Sequence, residues 1–221
     1  MTLKINYISK QNRKASWALV ASKGSKISDF KGIFTDQLCQ KIIKYINNNQ
    51  REKKDNIISL NLEFDKKIVL IILDEKNSQL EAEKLGAKFY EFCTFNKIKE
   101  ITIFGTKNSL IKNKIDLSQF LHGAELKSYG FDVYKSKKNK QKIIFNVLKT
   151  NNSLNQNHKK KLDSILNGVN HTKDLVSEPG NIFHPDEYAK RISQLKKIGL
   201  KINVYDQKKL KKLGMNALLG V

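Results

Sequence analysis

Apolar residues along this chain recur in two rhythms, and the switching between them predicts the architecture. Ser16–Ser22 (SWALVAS) reads as an early strand, and Gly24 and Gly32 punctuate the loop after it. From Thr35 to Asn47, Leu38, Ile42, Tyr45 and Ile46 recur at helical spacing, with Thr35 as the expected N-cap. Residues 57–64 alternate as a strand does. Ile68-Val69-Leu70-Ile71-Ile72-Leu73 is continuously apolar, the mark of a strand covered on both faces. Ser78 is placed to cap a helix carrying Ala82, Leu85, Phe89 and Phe92 at steps of three and four. Ile101-Thr102-Ile103-Phe104 is the next buried strand, closed by Gly105. A shorter helix is expected over 117–128 and a further strand at 143–148. Strands alternating with helices of this length predict an α/β layer fold with a largely parallel sheet.

After Thr150 the texture changes. The polar stretch 151–157 (NNSLNQN) is the best linker, and the long helix after it is expected to turn Leu162, Ile165, Leu166, Val169 and Val176 inward. Glu178-Pro179-Gly180 ends that helix. His184-Pro185-Asp186-Glu187 starts the next one, with Pro at the first helical position and two carboxylates where the helix dipole favours them. Tyr188, Ile192 and Leu195 are expected inward and Gly199 ends the helix. Residues 200–205 alternate as a strand, Asp206 caps a short helix ended by Gly214, and residues 216–221 read as another buried strand. An αβαβ segment of this kind reads as the opening of a larger domain. The expected organisation is an N-terminal α/β domain over 1–150, a linker and connecting helix over 151–180, and an incomplete α/β segment over 181–221.

Composition narrows the class. The chain has 221 residues, 39% hydrophobic and 29% charged, which is globular and neither disordered nor fibrous. No apolar run is long enough to span a membrane, and the N-terminus lacks the apolar stretch of a secretory signal, so a cytoplasmic location is expected. Cys39 and Cys93 stand alone, which excludes a disulfide scaffold. The net charge is +21, from 42 basic and 21 acidic residues. Only Arg13, Arg51 and Arg191 are arginine, whereas nucleic-acid faces favour Arg for its fork onto phosphate and guanine. Scattered lysines, with abundant Asn and Ile, read as solvated surface under compositional bias. A basic domain that binds nucleic acid or another polyanion is the alternative.

No complete active site is legible. His122, His158, His171 and His184 are scattered without an HExxH pattern, and the cysteines form no CxxC pair, so no metal-binding residue is assigned. There is no GxSxG elbow and no phosphate loop, since Gly105 stands alone before Thr106. Both cysteines fall in helical apolar patterns, as buried small hydrophobes. Phe89, Phe92 and Phe95 have core spacing and do not form a stacking platform for bases. The pair Asp186-Glu187 has a sufficient reason in the helix dipole. Catalytic, metal-binding and substrate-binding residues are all expected to be absent from residues 1–221.

Three segments nevertheless carry a resemblance. Asp174-Leu175-Val176-Ser177-Glu178-Pro179-Gly180-Asn181, followed by His184-Pro185-Asp186-Glu187-Tyr188-Ala189, resembles the domain-junction motif of the leucine (cytosol) aminopeptidases, R-D-L-V-N-x-P-x-N and then T/S-P-x-x-[hydrophobic]-A. Lys209-Leu210-Lys211-Lys212-Leu213-Gly214-Met215-Asn216-Ala217-Leu218-Leu219-Gly220-Val221 is similar to the family's E-x-L-x-x-L-G-M-x-x-x-L-x-V segment. Upstream, Gly123-Ala124-Glu125-Leu126 and residues 129–136 are similar to its G-x-x-L-x-x-Y-x-F-x-x-Y-K element. Lys173 replaces the usual Arg, Ser177 the usual Asn, and His184 the usual Thr or Ser. Residues 71–74 lack the V-G-L-G ending common after that strand.

The resemblance implies a three-layer, macro-domain-like N-terminal unit with a mostly parallel mixed sheet, then the start of a catalytic domain. In the family, two divalent ions (zinc, manganese or magnesium) are held by a K-G-[IV]-x-[FY]-D-[ST]-G-G stretch and an N-T-D-A-E-G-R stretch. Those ions activate a water for release of N-terminal residues from peptides, within a homohexamer. Neither stretch occurs in this sequence. The resemblance therefore implies the N-terminal portion of such an enzyme, inactive by itself, with no metal ion bound by this chain. An assembly partner for an intact aminopeptidase is a third reading.

Overall fold

The computed structural model describes residues 2–10, 16–22, 25–30, 33–52, 56–63, 66–73, 78–105, 117–137, 142–149 and 155–220. The predicted loop glycines Gly24 and Gly32, Phe64, most of the 151–157 linker and Val221 lie outside these residues. The described chain divides into two units, residues 1–170 and 171–221.

The first unit is built on a six-stranded sheet: β1 (Leu3–Ile8), β2 (Ser16–Ser22), β3 (Ile57–Glu63), β4 (Lys66–Leu73), β5 (Glu100–Gly105) and β6 (Ile143–Leu148), in the order β1-β6-β5-β2-β4-β3. Every neighbouring pair is parallel except β3 with β4, so the sheet is mixed and mostly parallel, as expected. Strand β1 went unpredicted. Its alternation, Leu3, Ile5 and Tyr7 against Lys4 and Asn6, is visible in the sequence, but only pairing with β6 makes it a strand.

The continuous apolar runs sit where both faces are covered. Ala18, Leu19, Val20 and Ile68 to Ile71 are essentially inaccessible. One face packs Val20, Val69, Ile103 and Phe145 against α2 (Gln79–Phe95) and α3 (Leu117–Lys127). The other packs Trp17, Leu19, Leu70 and Phe104 against α1 (Asp36–Glu52), through Cys39, Ile42 and Ile46. The result is three layers. Tyr45, expected inward, is 48% exposed, because Ile42 and Ile46 already fill that helix face. Thr35 precedes α1 and its carbonyl accepts the Cys39 N–H at 3.0 Å. Ser78 caps α2 as expected: its hydroxyl accepts the Glu81 N–H, and the Glu81 carboxylate accepts the Ser78 N–H. Phe95, expected in the core, is 87% exposed, because it lies in the last turn of α2, past the part that packs.

Helices α2 and α3 meet backbone to backbone. A Cβ on Gly86 would lie 1.8 Å from the Phe120 carbonyl oxygen, and one on Gly123 would lie 1.9 Å from that of Glu83. Only hydrogen fits at either position.

Helix α4 (Gln156–Ser177) buries Leu162 and Leu166, but Ile165 and Val176 are exposed, against expectation. The packed face is a narrower stripe than the full set of apolar positions. In the second unit, α5 (Pro185–Ser193) begins where Pro185 predicts and continues as a 3-10 turn, Gln194–Ile198, which Gly199 ends at a φ of 90°. Tyr188 is half exposed, while Ile192 and Leu195 are partly buried.

The two strands expected here do not form. Residues 200–206 are irregular, and Asn216–Leu219 is a short helix, α7, after α6 (Gln207–Lys212). The physical reason is that a strand satisfies its backbone only through a neighbour, whereas a helical turn does so locally. The Leu218 N–H donates to the Met215 carbonyl and the Gly220 N–H to that of Asn216, both at 3.2 Å.

Gly86→Ala or Gly123→Ala is expected to destabilise the chain by about 3 kcal/mol, because backbone cannot yield as a flexible side chain can. Gly168→Ala, in α4 with open space around it, is expected to stabilise by about 0.5–1 kcal/mol through helix propensity. Urea unfolding midpoints of the three variants test both signs.

Candidate functional site

Two polar constellations stand out, one in each unit. In the first unit, β1, α3 and the start of α4 bring together Tyr7, His122, Glu125, Lys159 and Asp163. Lys159, read from sequence with the other lysines as solvated surface, has a side chain only 20% exposed. Its ammonium donates to both carboxylate oxygens of Asp163, at 2.7 and 2.8 Å, and lies 5.6 Å from the Tyr7 ring centroid. The Lys159–Asp163 spacing of four residues was the available signal.

Charges here are set by burial. Burial pushes the Glu125 carboxyl up to about 7, against the pull of Lys159 and with the help of Asp163. Burial also raises the Tyr7 phenol, which Lys159 opposes. His122 is 3% exposed, and its pKa is held below the usual histidine range by burial, against the attraction of Glu83. Its Nδ1 has no hydrogen-bond partner among the described residues. The cluster thus holds one ion pair, one carboxyl that titrates near neutrality and one neutral imidazole. The cavities of about 720, 640 and 320 Å³ on this unit are lined by other residues. The cluster's side chains link the start of α4 to α3 and β1.

The second unit is organised by Arg191, to which the sequence alone assigned no role. Its Nη1 donates to Glu178 Oε1 at 2.8 Å and its Nε to Glu187 Oε1 at 2.9 Å. The guanidinium also lies 5.3 Å from the Phe183 ring centroid, and Phe183 meets Tyr188 edge-on at 5.4 Å. Ile182 and Phe183 N–H groups both donate to the Pro179 carbonyl at 2.9 Å, which folds the chain back toward α5. The spacing of Glu187 and Arg191, one helical turn, could have revealed half of this network. Glu178 arrives from outside the helix, and only folding shows it.

The other residues weighed in the sequence fall in separate places. Cys39 and Cys93 are buried, and burial pushes the Cys93 thiol up to about 12, which makes it a poor nucleophile. His184 occupies the N-cap of α5, but its side chain makes no capping bond, and its carbonyl accepts the Tyr188 N–H at 2.9 Å. Glu187 bonds Lys190 at 3.3 Å as well as Arg191, which holds its carboxyl below the usual carboxylate range. Among the described residues, no group of three or more His, Cys, Asp or Glu side chains is arranged to hold a metal ion. Glu178 and Glu187, both committed to Arg191, do not fit the two ions that the resemblance implies for the full-length enzymes. Among the described residues, no helix is long and apolar enough to cross a membrane.

Comparison with known proteins agrees with the two motifs at 174–189 and 209–221. Residues 170–221 match the catalytic domain of the cytosol aminopeptidase family. A probable cytosol aminopeptidase of Phytoplasma mali is 39% identical over 132 residues, which cover 57% of this chain and 26% of that protein. The matched stretch, just over half of this chain, spans about a quarter of the length of these curated relatives. Among solved structures, a tomato leucine aminopeptidase mutant superposes with a TM-score of 0.65 at 16% identity, over 96% of this chain and 46% of its own. The bottromycin maturation enzyme BotP in complex with Mn gives a TM-score of 0.57 at 14% identity, over 90% of this chain and 40% of its own. These likenesses bear out the α/β fold.

Glu125 makes stability depend on pH in a definite direction. A carboxyl whose folded pKa is raised favours the fold below its ordinary pKa of about 4.5, and that contribution is lost as pH rises through about 7. Glu125→Gln is therefore expected to leave stability near pH 4.5 unchanged and to raise it by about 1–2 kcal/mol at pH 8, as read from thermal unfolding across that range. Arg191→Lys is expected to speed amide exchange at Ile182 and Phe183 nearly as much as Arg191→Ala does, because an ammonium cannot fork between two carboxylates.

Proposed function

We propose that this chain, a stretch of which matches about a quarter of the length of its curated aminopeptidase relatives, supplies the N-terminal α/β unit and the opening segment of a leucine (cytosol) aminopeptidase's catalytic domain. The observation that carries this reading is the match of residues 170–221 to the family's catalytic domain, joined in one chain to an α/β unit that superposes on leucine aminopeptidase. The whole enzyme's activity, on this reading, is release of N-terminal amino acids from peptides in the cytoplasm. Two divalent ions would supply the polarised carbonyl and the activated water of that reaction. Neither stretch that holds those ions in the family is present among the 221 residues. Residues 1–221 alone are accordingly proposed to bind no catalytic metal and to hydrolyse nothing. Hexamer assembly and peptide binding are proposed for the whole enzyme and not for these residues alone.

The role left to this chain is structural. The first unit folds around its own core, and Arg191 holds the junction turn 178–184 in place, so that the chain leaving α5 starts from a defined position.

Purified residues 1–221 are expected to release no p-nitroaniline from leucine p-nitroanilide above the buffer rate with added manganese, zinc or magnesium. Turnover that co-purifies with the chain through two columns would overturn the reading. The reading frame beyond the Val221 codon is expected to encode both metal-holding stretches, which sequencing of the gene checks directly.

A further inference from the structure

Strand β3 is one edge of the sheet, and its pairing reveals which backbone groups are unused. The Ile72 N–H donates to the Asn56 carbonyl at 2.8 Å, and the register pairs Ile58 with Leu70 and Leu60 with Ile68. In an antiparallel ladder, bonded and non-bonded pairs alternate. Ile58 and Leu60 therefore spend their N–H and C=O groups on β4. The N–H and C=O groups of Ile57, Ser59 and Asn61 point away from it, along the open edge.

Beside that edge runs a groove of about 720 Å³, lined by Leu38, Lys41, Lys44 and Tyr45 of α1 and by Ser59 and Leu60 of β3. The helix divides its labour: Cys39, Ile42 and Ile46 are buried in the core, while the flanking face lines the groove. Lys41 and Lys44 are exposed and have no ion-pair partner among the described residues. Edge strands are commonly blunted by lysine or proline. The opposite edge, β1, carries Lys4, but β3 (IISLNLE) carries no lysine, arginine or proline in a chain with 42 basic residues.

We propose that β3 and the adjoining face of α1 form a docking groove for an extended, acidic polypeptide segment that adds to the sheet as a seventh strand. The segment's backbone pairs with Ile57, Ser59 and Asn61. On the face of the segment turned to α1, alternate residues place apolar side chains against Leu38, Tyr45 and Leu60 and acidic ones against Lys41 and Lys44. A second copy of this chain is a poor occupant, because two bodies of net charge +21 repel.

The test uses a fluorescein-labelled, end-blocked nonapeptide with Glu and Val in turn on its odd positions and Thr on its even ones, titrated with residues 1–221 and read by anisotropy. Saturable binding in the micromolar range is expected, with slowed amide exchange at Ile57, Ser59 and Asn61. The same peptide N-methylated at alternate residues keeps its charge but cannot pair on one edge, and is expected to lose binding in the register that pairs that edge. Lys41→Glu with Lys44→Glu, both on exposed positions, is expected to weaken binding at least tenfold without moving the unfolding midpoint. Absence of saturation at millimolar protein, or equal binding by both possible N-methylated registers, overturns the proposal. Equal binding by an oligoglutamate of the same charge, or by the same peptide with Lys in place of Glu, does so as well.

Discussion

Burial of β2, β4 and β5 on both faces is the constraint on which the first unit depends. A strand such as residues 68–72 exposes apolar side chains above and below the sheet at once, so a helical layer must lie on each side. One face receives α1. The other receives α2 and α3, which must share it, and Gly86 and Gly123 let them do so by removing the two Cβ atoms that would hold their backbones apart. A tightly joined pair then presents Leu85, Phe89, Phe120 and Leu121 to the sheet as one surface. The outer strands are held by this arrangement more than they hold it.

The second unit obeys different physics. Leu175 is its one buried hydrophobic residue among those described, so burial cannot be what orders it. Order comes from short-range devices: Pro185 at the start of a helix, Asp206 accepting the Lys209 N–H at 2.8 Å, glycines with positive φ at 199 and 214, and the Arg191 network. Such devices shape turns and single helices well. They cannot build a sheet, and there the predicted strands failed.

Much of the fold was legible because it depends on periodicity. The helices at 79–95 and 117–127, the strands at 16–22, 66–73, 100–105 and 143–148, the cap at Ser78 and the stop at Pro179-Gly180 all leave local marks. The family resemblance was legible for a related reason: the junction at 174–189 and the segment at 209–221 keep turn-forming and helix-starting residues at fixed intervals. Less legible were contacts between residues far apart in the chain. Tyr7, Glu125 and Lys159 meet only once β1, α3 and α4 pack, and nothing local tells Lys159 from its neighbours Lys160 and Lys161, which are exposed. Arg191 shows half its network in its spacing from Glu187 and hides the other half in Glu178.

What the sequence determined by itself was the class of fold, most of its elements and the motifs of its resemblance, because apolar spacing, caps and turn residues act over a few positions. The tertiary structure decided which strands had partners, which apolar residues on a helix were buried, and which charges lost their water. Residues 200–205 and 57–63 both alternate in the manner of strands. The second pairs with β4, and backbone hydrogen bonds across to a neighbour are what turn such a pattern into a strand. The same dependence leaves β3 with one side paired and the other open.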